Sequence, residues 1–443
     1  MMSIVQQIHT QDACGVTVGS EHFEIRREEQ AKVCVFNAGT IRVFRVAQEL
    51  KKRGMLSKCV TSLYLSESIA KTFLNYRFPG YFERLIEQKI ANRRCPDLHG
   101  SVLQWPWAEL VHLGFSRLRI GNQNAWIRWR NHKFGQWVAS HALDGVDLVW
   151  GFDTSSLEVF QRAKQRGISC VLDMSMAHPS EGERILRQHA SSRPEYAADL
   201  GEICKSHEEI ENRAKEMELA DIVVATSNFT KASLEEFGVP TEKILLNPIG
   251  VDIDAFTPYQ GMKTTSPIIF LFVGWFSQRK GIYYALEAWE KARMDNKAEL
   301  WLVGGSRDQL RCWKRQLPNG VKILGPIAHH RITEIYRKAH VFIFPSLLEG
   351  FPKVVLEAMA SGLPVVGTDY LLQGVVKTGH NGILVRAGHI NDIAETIREL
   401  VNHPSMIEKM GNAARKCAEE YTWTAYGDRC AAICKTLAKS FDS

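Results

Sequence analysis

The sequence predicts an α/β protein built from two Rossmann-like, doubly wound units in tandem. Three observations carry that expectation. At 443 residues and 50.2 kDa the chain exceeds what one hydrophobic core usually organises. Its second half alternates short apolar runs with amphipathic helical patterns, as a parallel sheet covered on both faces requires. Its first half repeats the alternation less regularly, and a polar stretch carrying Pro and Gly separates the two.

In chain order, strands are expected at 32–36, 59–65, 146–152, 169–174, 222–226 and 244–246 in the first unit. The second unit offers 268–273, 300–303, 321–324, 341–344, 364–367 and 383–385, with helical patterns such as 282–291 and 332–339 between them. The joint falls at N-P-I-G-V-D-I-D-A-F-T, residues 247–257, so the first domain is expected at 1–248 and the second at 249–422. The tail from 421 reads as helix. No solenoid-length repeat or low-complexity tract interrupts the pattern.

Composition is ordinary for a folded globular chain, with 45% hydrophobic and 23% charged residues. No apolar run approaches membrane-span length, and residues 1–27 are polar and acidic, unlike a secretory signal. A cytoplasmic protein is expected. Ten cysteines are scattered without the C-x2-C spacing of a zinc site, which favours reduced thiols. The net charge of +6 is concentrated: residues 71–140 hold eleven Lys and Arg against four acids, 11 − 4 = +7.

The most informative stretch is F-P-S-L-L-E-G-F-P-K-V-V-L-E-A-M-A-S-G-L-P-V-V-G, residues 344–367. Apolar residues 341–344 form a strand, Pro345, Ser346 and Gly350 mark a turn, and Pro352 suits the first position of a helix. Glu349 then lies in the loop and Glu357 about a turn and a half into the helix. A helix start at the carboxyl edge of a parallel sheet presents free N–H groups and a positive dipole end, so an anionic ligand is expected there. Two Glu residues near a helix start could also be ordinary first-turn acids.

The E-x7-E spacing followed by A-M-A-S-G-L-P-V-V resembles the donor site of retaining glycosyltransferases of family GT4, which adopt the GT-B fold: two Rossmann-like domains facing a cleft. The resemblance implies that Glu349 contacts the donor sugar and Glu357 the ribose, with Gly350 and Phe351 in the same loop. The segment V-G-W-F-S-Q-R-K-G, residues 273–281, is similar to the family's diphosphate-binding loop. By that likeness Gly274 permits close backbone approach and Lys280 supplies the ammonium. Many members carry Arg after the first Gly, where this chain has Trp275, so Arg279 is the candidate for a second positive charge. Base contacts are implied near Gly325 and Ile327.

In the first domain, His178, in V-L-D-M-S-M-A-H-P, matches the family's cleft His that touches the sugar, and Asn37 and Gly39 correspond to its acceptor-side loop. The last helix, 423–443, is expected to cross back to the first domain. The implied donor is a nucleotide-diphosphate sugar, the acceptor a glycan or lipid-linked molecule, and no cofactor is expected. Asp252-Ile253-Asp254 reads as structural and His329-His330 lacks a third ligand, so no metal is expected.

The basic segment interleaves Arg117, Arg119, Arg128, Arg130 and Lys133 with Trp126, Trp129, Phe134 and Trp137. That pattern suits peripheral contact with an anionic membrane face or acceptor, a plain basic surface over buried aromatics, or, less well, single-stranded nucleic acid. Alternative activities on the same plan are a nucleotide-sugar epimerase, a phosphorylase, or a non-catalytic sugar-nucleotide binder.

Overall fold

A computed structural model describes residues 31–39, 41–64, 95–118, 121–201, 206–261, 266–294 and 296–439. Residues 1–27, the stretch 71–94 and Arg119 of the basic segment, the end of the tail, and the side chains of Arg117, His329 and His330 lie outside the described residues.

Seven parallel strands form the first sheet: β1 (Val33–Asn37), β2 (Leu56–Thr61), β3 (Val102–Gln104), β4 (Leu148–Phe152), β5 (Ser169–Asp173), β6 (Ile222–Ala225) and β7 (Ile244–Leu246). Their order is β3-β2-β1-β4-β5-β6-β7. β1, β4, β5 and β6 are buried along their whole length, which is why they read as continuous apolar runs rather than alternating ones.

The second sheet comprises β8 (Ile268–Val273), β9 (Ala298–Val303), β10 (Val321–Gly325), β11 (Val341–Phe344), β12 (Val365–Thr368) and β13 (Gly382–Val385), ordered β10-β9-β8-β11-β12-β13 and again all parallel. Each sheet reverses its strand order once, between β1 and β4 and between β8 and β11. Such a reversal opens a crevice at the carboxyl edge.

Three elements depart from the sequence reading. β3 escaped it because the strand is only three residues long, partly exposed, and without an apolar run. The strand expected at 59–65 slides to β2, since Val33 pairs with Leu56 and Asn37 with Thr61. Part of the basic, aromatic segment folds as two helices, Trp107–Leu118 and Gln123–His141; Asn122 caps the second by accepting from the N–H of Asn124 at 2.9 Å.

The chain passes between the domains twice, side by side. Val251 N–H donates to Tyr421 O at 2.8 Å, and Gly250 approaches so closely that a Cβ there would lie 2.6 Å from Trp423 N. Asp252 Oδ1 caps this turn, accepting from the N–H of Asp254 at 3.2 Å and of Ala255 at 3.0 Å. The final helix, Trp423–Lys439, packs against the helix Ile41–Lys52 of the first domain; Arg53 pairs with Asp428 at 2.7 Å and Arg429 donates to Asn247 at 2.8 Å.

A second junction lies at the carboxyl edges. Ala177, Ile185, Leu186, Tyr196 and Leu200 of the first domain are buried in one cluster with Phe270, Tyr283 and Trp289 of the second. Tyr196 stacks on Tyr283 at 4.4 Å, and Tyr283 OH donates to Asp199.

Candidate functional site

The site forms where the loop after β11 meets the turn after β8. Gly281 takes φ +73°, the left-handed region, and a Cβ there would sit 1.9 Å from Pro345 O. Only glycine lets the two backbones touch. That contact brings Arg279 and Lys280, at the end of a 3-10 turn, under the loop that carries Glu349. Leu347 N–H donates to Arg279 O at 2.8 Å and locks the register of the two segments.

Glu349 is the centre of the arrangement. Its Oε1 lies 2.5 Å from Lys280 Nζ, 3.0 Å from Arg279 Nη1 and 3.0 Å from Ser346 Oγ. Arg279 Nη1 also donates to Leu348 O at 2.6 Å. Burial lowers the Lys280 ammonium below the ordinary lysine value; Glu349 opposes that shift and Arg279 adds to it. One nearly buried carboxylate therefore engages two cations.

The same loop abuts the first domain. A Cβ on Gly350 would lie 2.0 Å from Ser175 O, just beyond the carboxyl end of β5. Thr230 Oγ1 donates to Gly350 O at 3.4 Å, and Gly182 faces the Leu348 side chain. The glutamate loop thus stands at the boundary between the two sheets' carboxyl edges. Phe351 packs near Tyr421 at the domain crossing.

Glu357 is buried on the helix Lys353–Ala360. Its Oε1 pairs with Lys353 at 3.0 Å and its Oε2 accepts from Tyr336 OH at 3.2 Å. Gly274 follows β8 and donates its N–H to Val303 O, with Lys280 Cδ 4.0 Å from where its Cβ would be. Trp275 beside it is 63% exposed. Gly325 ends β10 in the left-handed region, its carbonyl accepting from Gly304 N–H at 3.0 Å, and Ile327 lies half-buried just beyond.

In the first domain, His178 caps the helix Pro179–Ser192. Its Nδ1 accepts from Ser180 N–H at 3.3 Å and its ring stacks on Phe237 with centroids 4.6 Å apart. Burial, reinforced by Arg213, pulls its pKa down to about 4, so the ring is neutral at pH 7. Asn37 Oδ1 accepts from Gly39 N–H at 2.9 Å and shapes the loop after β1, while Arg130 closes over Gly39 and pairs with Glu109 at 3.0 Å. Glu349, Gly350, Arg279, Lys280 and Gly274 come together; His178 follows three residues after Ser175, which Gly350 abuts, and the Asn37–Gly39 loop follows β1.

The sequence reading missed several groups. Ser346, read from the sequence only as a turn residue, bonds Glu349, and Tyr336, facing Glu357, has no spacing signal of its own. Arg42 is paired with Asp173, which also accepts from Trp150 Nε1 at 3.3 Å; burial raises the Asp173 carboxyl to about 6. Among the described residues, no group of three or more His, Cys, Asp and Glu is placed to hold a metal ion, and no two cysteines are joined.

Comparison with solved structures settles the architecture. Sucrose-phosphate synthase from Thermosynechococcus elongatus superimposes with a TM-score of 0.65 at 19% identity, over 93% of this chain and all of that one. Anabaena HepE, solved with UDP and glucose, gives 0.60 at 16% identity over the same shares. The fold is GT-B.

Within that GT-B frame, residues 258–417 match the family model "Glycosyl transferases group 1". The putative colanic acid biosynthesis glycosyltransferase WcaL of Salmonella typhimurium is 25% identical over 235 residues, 49% of this chain and 57% of the relative. The D-inositol 3-phosphate glycosyltransferase of Paenarthrobacter aurescens is 30% identical over 221 residues, 46% of this chain and 54% of the relative. The chain thus spans little more than half the length of the curated relatives it matches.

Proposed function

We propose that this chain is a glycosyltransferase of the GT4 type, which moves a sugar from a nucleotide-diphosphate donor to an acceptor with retention of anomeric configuration. The observation that carries the reading is the Lys280–Glu349–Arg279 cluster at a helix mouth on the domain boundary. The transfer breaks the bond between the anomeric carbon and the donor's phosphate oxygen, and the electron pair leaves with the nucleotide. The acceptor oxygen bonds to the same carbon on the same face, and its proton passes to the departing phosphate.

Negative charge grows on the leaving group, which Lys280 and Arg279 would meet; positive charge grows on the sugar, which a carboxylate would offset. Glu349 fits the second task once the donor's phosphates take over its cations. Glu357 fits the ribose, with Lys353 and Tyr336 orienting its carboxylate. The UDP present in structural relatives makes uridine donors the first to try.

The decisive experiment incubates the protein with UDP-, GDP- and ADP-sugars and candidate acceptors, and assays free nucleotide and product anomericity. Nucleotide released only with acceptor, and an α-product from an α-donor, supports the reading. Acceptor-independent interconversion of sugars points to an epimerase, and inversion of configuration excludes retention.

A peripheral membrane role is proposed on a separate observation. The helix Trp107–Leu118 exposes Trp107, Leu110, Val111, Leu113 and Leu118, with Trp107 66% and Leu118 68% accessible. Among the described residues no helix is long and apolar enough to cross a membrane. The exposed apolar face, together with the basic surplus of the sequence segment it belongs to, suits lying on an anionic leaflet at the cytoplasmic side. Sedimentation with phosphatidylglycerol vesicles tests this; equal recovery with neutral and anionic vesicles argues against it.

A further inference from the structure

A cavity of about 730 Å³ opens on the second domain where three pieces of chain meet: the end of the helix Ile282–Ala292, the start of the helix Ile390–Asn402, and Arg315 in the connection between β9 and β10. Its volume falls within the range of small-molecule sites. None of the residues of the donor cluster lines it. At 1.5 Å per residue, the helix Ile282–Ala292 sets it roughly 16 Å from Gly281 and the glutamate loop.

Arg293 is the informative residue. The helix ends on it with φ +53° and ψ +57°, the left-handed conformation that glycine normally supplies at such a position because a Cβ is strained there. The chain keeps an exposed guanidinium where the backbone disfavours it, and among the described residues that group makes no hydrogen bond or ion pair. A strained residue of this kind points to function rather than to stability.

The charges around it leave a surplus. Lys291, Arg293, Arg315 and Arg398 line the cavity against Glu287 and Glu290, 4 − 2 = +2. Both acids are already matched, Glu287 by Arg193 of the first domain and Glu290 by Arg315 at 2.8 Å. Arg398 donates to the carbonyl oxygens of Lys291 at 2.7 Å and Ala292 at 3.4 Å, and Lys291 donates to the Asn391 side-chain oxygen, so both bond neutral oxygens. Arg398 thereby covers the negative end of one helix dipole, while Ile390 and Asn391 open a second helix whose start has no side-chain cap. Positive charge remains for a ligand to meet.

The lining narrows that ligand. Guanidinium groups match the oxygens of a phosphate. A long polyanion would also meet Glu287 and Glu290, whereas hydroxyl groups can donate to those carboxylates and pair with the Asn391 amide. Ile390 is the one apolar side chain among the described lining residues, which leaves little surface for a base or a hydrocarbon tail.

We infer that this cavity is a binding site for a small phosphorylated polyol, separate from the donor cluster and able to fill alongside it. Glu287 in its wall is also the residue that Arg193 and Tyr196 of the first domain grip, so the occupant shares a wall with the junction between the domains. The inference goes beyond the transferase reading and does not depend on it.

The test titrates the full chain by calorimetry at fixed ionic strength with glycerol 3-phosphate, glucose 6-phosphate and mannose 6-phosphate, against glycerol, glucose and inorganic phosphate. UDP, GDP and ADP are titrated in parallel. At least one ester should bind, and more tightly than inorganic phosphate, while glycerol and glucose should not. Arg293→Gly should weaken that ester about tenfold or more, yet its melting temperature should equal or exceed that of the wild type, since glycine relieves the strained backbone. A merely structural arginine does not give that pair of results. Arg315→Gln should weaken the ester as well, and Lys280→Met should not. Nucleotide binding should be unchanged in Arg293→Gly and Arg315→Gln.

Absence of binding by all three esters overturns the proposal, as does binding that Arg293→Gly and Arg315→Gln both leave intact or that Lys280→Met abolishes. Inorganic phosphate binding as tightly as every ester marks an adventitious ion only and overturns it too. Failure of every nucleotide to bind the wild type counts against the transferase reading and leaves this one standing.

Discussion

Glu349 engages Lys280 and Arg279, the two cations proposed to meet a donor's diphosphate, and this makes Glu349→Gln an unusual variant. The substitution keeps the side chain's size and an acceptor oxygen while removing its charge, so Lys280 at 2.5 Å and Arg279 at 3.0 Å lose their counter-ion. A charge-assisted hydrogen bond is worth about 1.5–3 kcal/mol. Because Arg279 is about a third exposed, its share is discounted for solvent screening, and the net competition removed is ~1–2 kcal/mol.

A nucleoside diphosphate should therefore bind Glu349→Gln roughly 5–30-fold more tightly than wild type. Turnover should move the other way, by about 10²–10³-fold, since the charge that offsets the developing cation on the sugar is gone. Lys280→Met, which removes an anion partner outright, should lose both affinity and turnover. Isothermal titration with whichever of UDP, GDP and ADP binds the wild type, at fixed ionic strength, separates the cases. If Glu349→Gln weakens nucleotide binding as much as Lys280→Met does, the carboxylate is not a stand-in for phosphate and the cluster has been misread.

Further expectations concern the frame around the cluster. Gly281→Ala forces a left-handed alanine, costing about 1–2 kcal/mol in the backbone alone; with a Cβ 1.9 Å from Pro345 O it should lower the melting temperature and sharply reduce nucleotide affinity. Gly350→Ala meets Ser175 O at 2.0 Å and should impair turnover more than nucleotide binding, because the displaced contact lies between domains. Tyr336→Phe removes one hydrogen bond to the Glu357 carboxylate and should cost about 1.5–3 kcal/mol in stability, seen as a fall in melting temperature.

His178 supplies a pH test: its folded pKa of about 4 lies below the unfolded value near 6.5, so its contribution is present above pH 6.5 and is lost as pH falls towards 4. His178→Asn keeps a capping acceptor without that titration. The difference in melting temperature between wild type and variant should narrow between pH 7 and pH 4.5.

Much of this could be read from the chain because parallel strands buried on both faces leave uninterrupted apolar runs, as β4, β5, β8 and β11 do. β3 offers no such run, and the helices 107–118 and 123–141 were hidden by a composition that reads as surface chemistry. Glu349 and Lys280 stood out in the sequence because each follows a strand within a stretch that resembles the GT4 donor site. That they would meet on a single carboxylate was not legible there, since the contact depends on Gly281 pressing against Pro345 across 64 residues of chain.

The paired crossings at Val251 and Thr422 act as an axle with two bearings. Two adjacent covalent links oppose sliding of one half past the other, and any turning about their line has to break the Tyr196–Tyr283 junction. A protease cut at one crossing would leave the halves tethered by the other. Grafting the second half onto a foreign first half demands a match to the last helix as well as to the joint, because the chain's end is built into the opposite lobe.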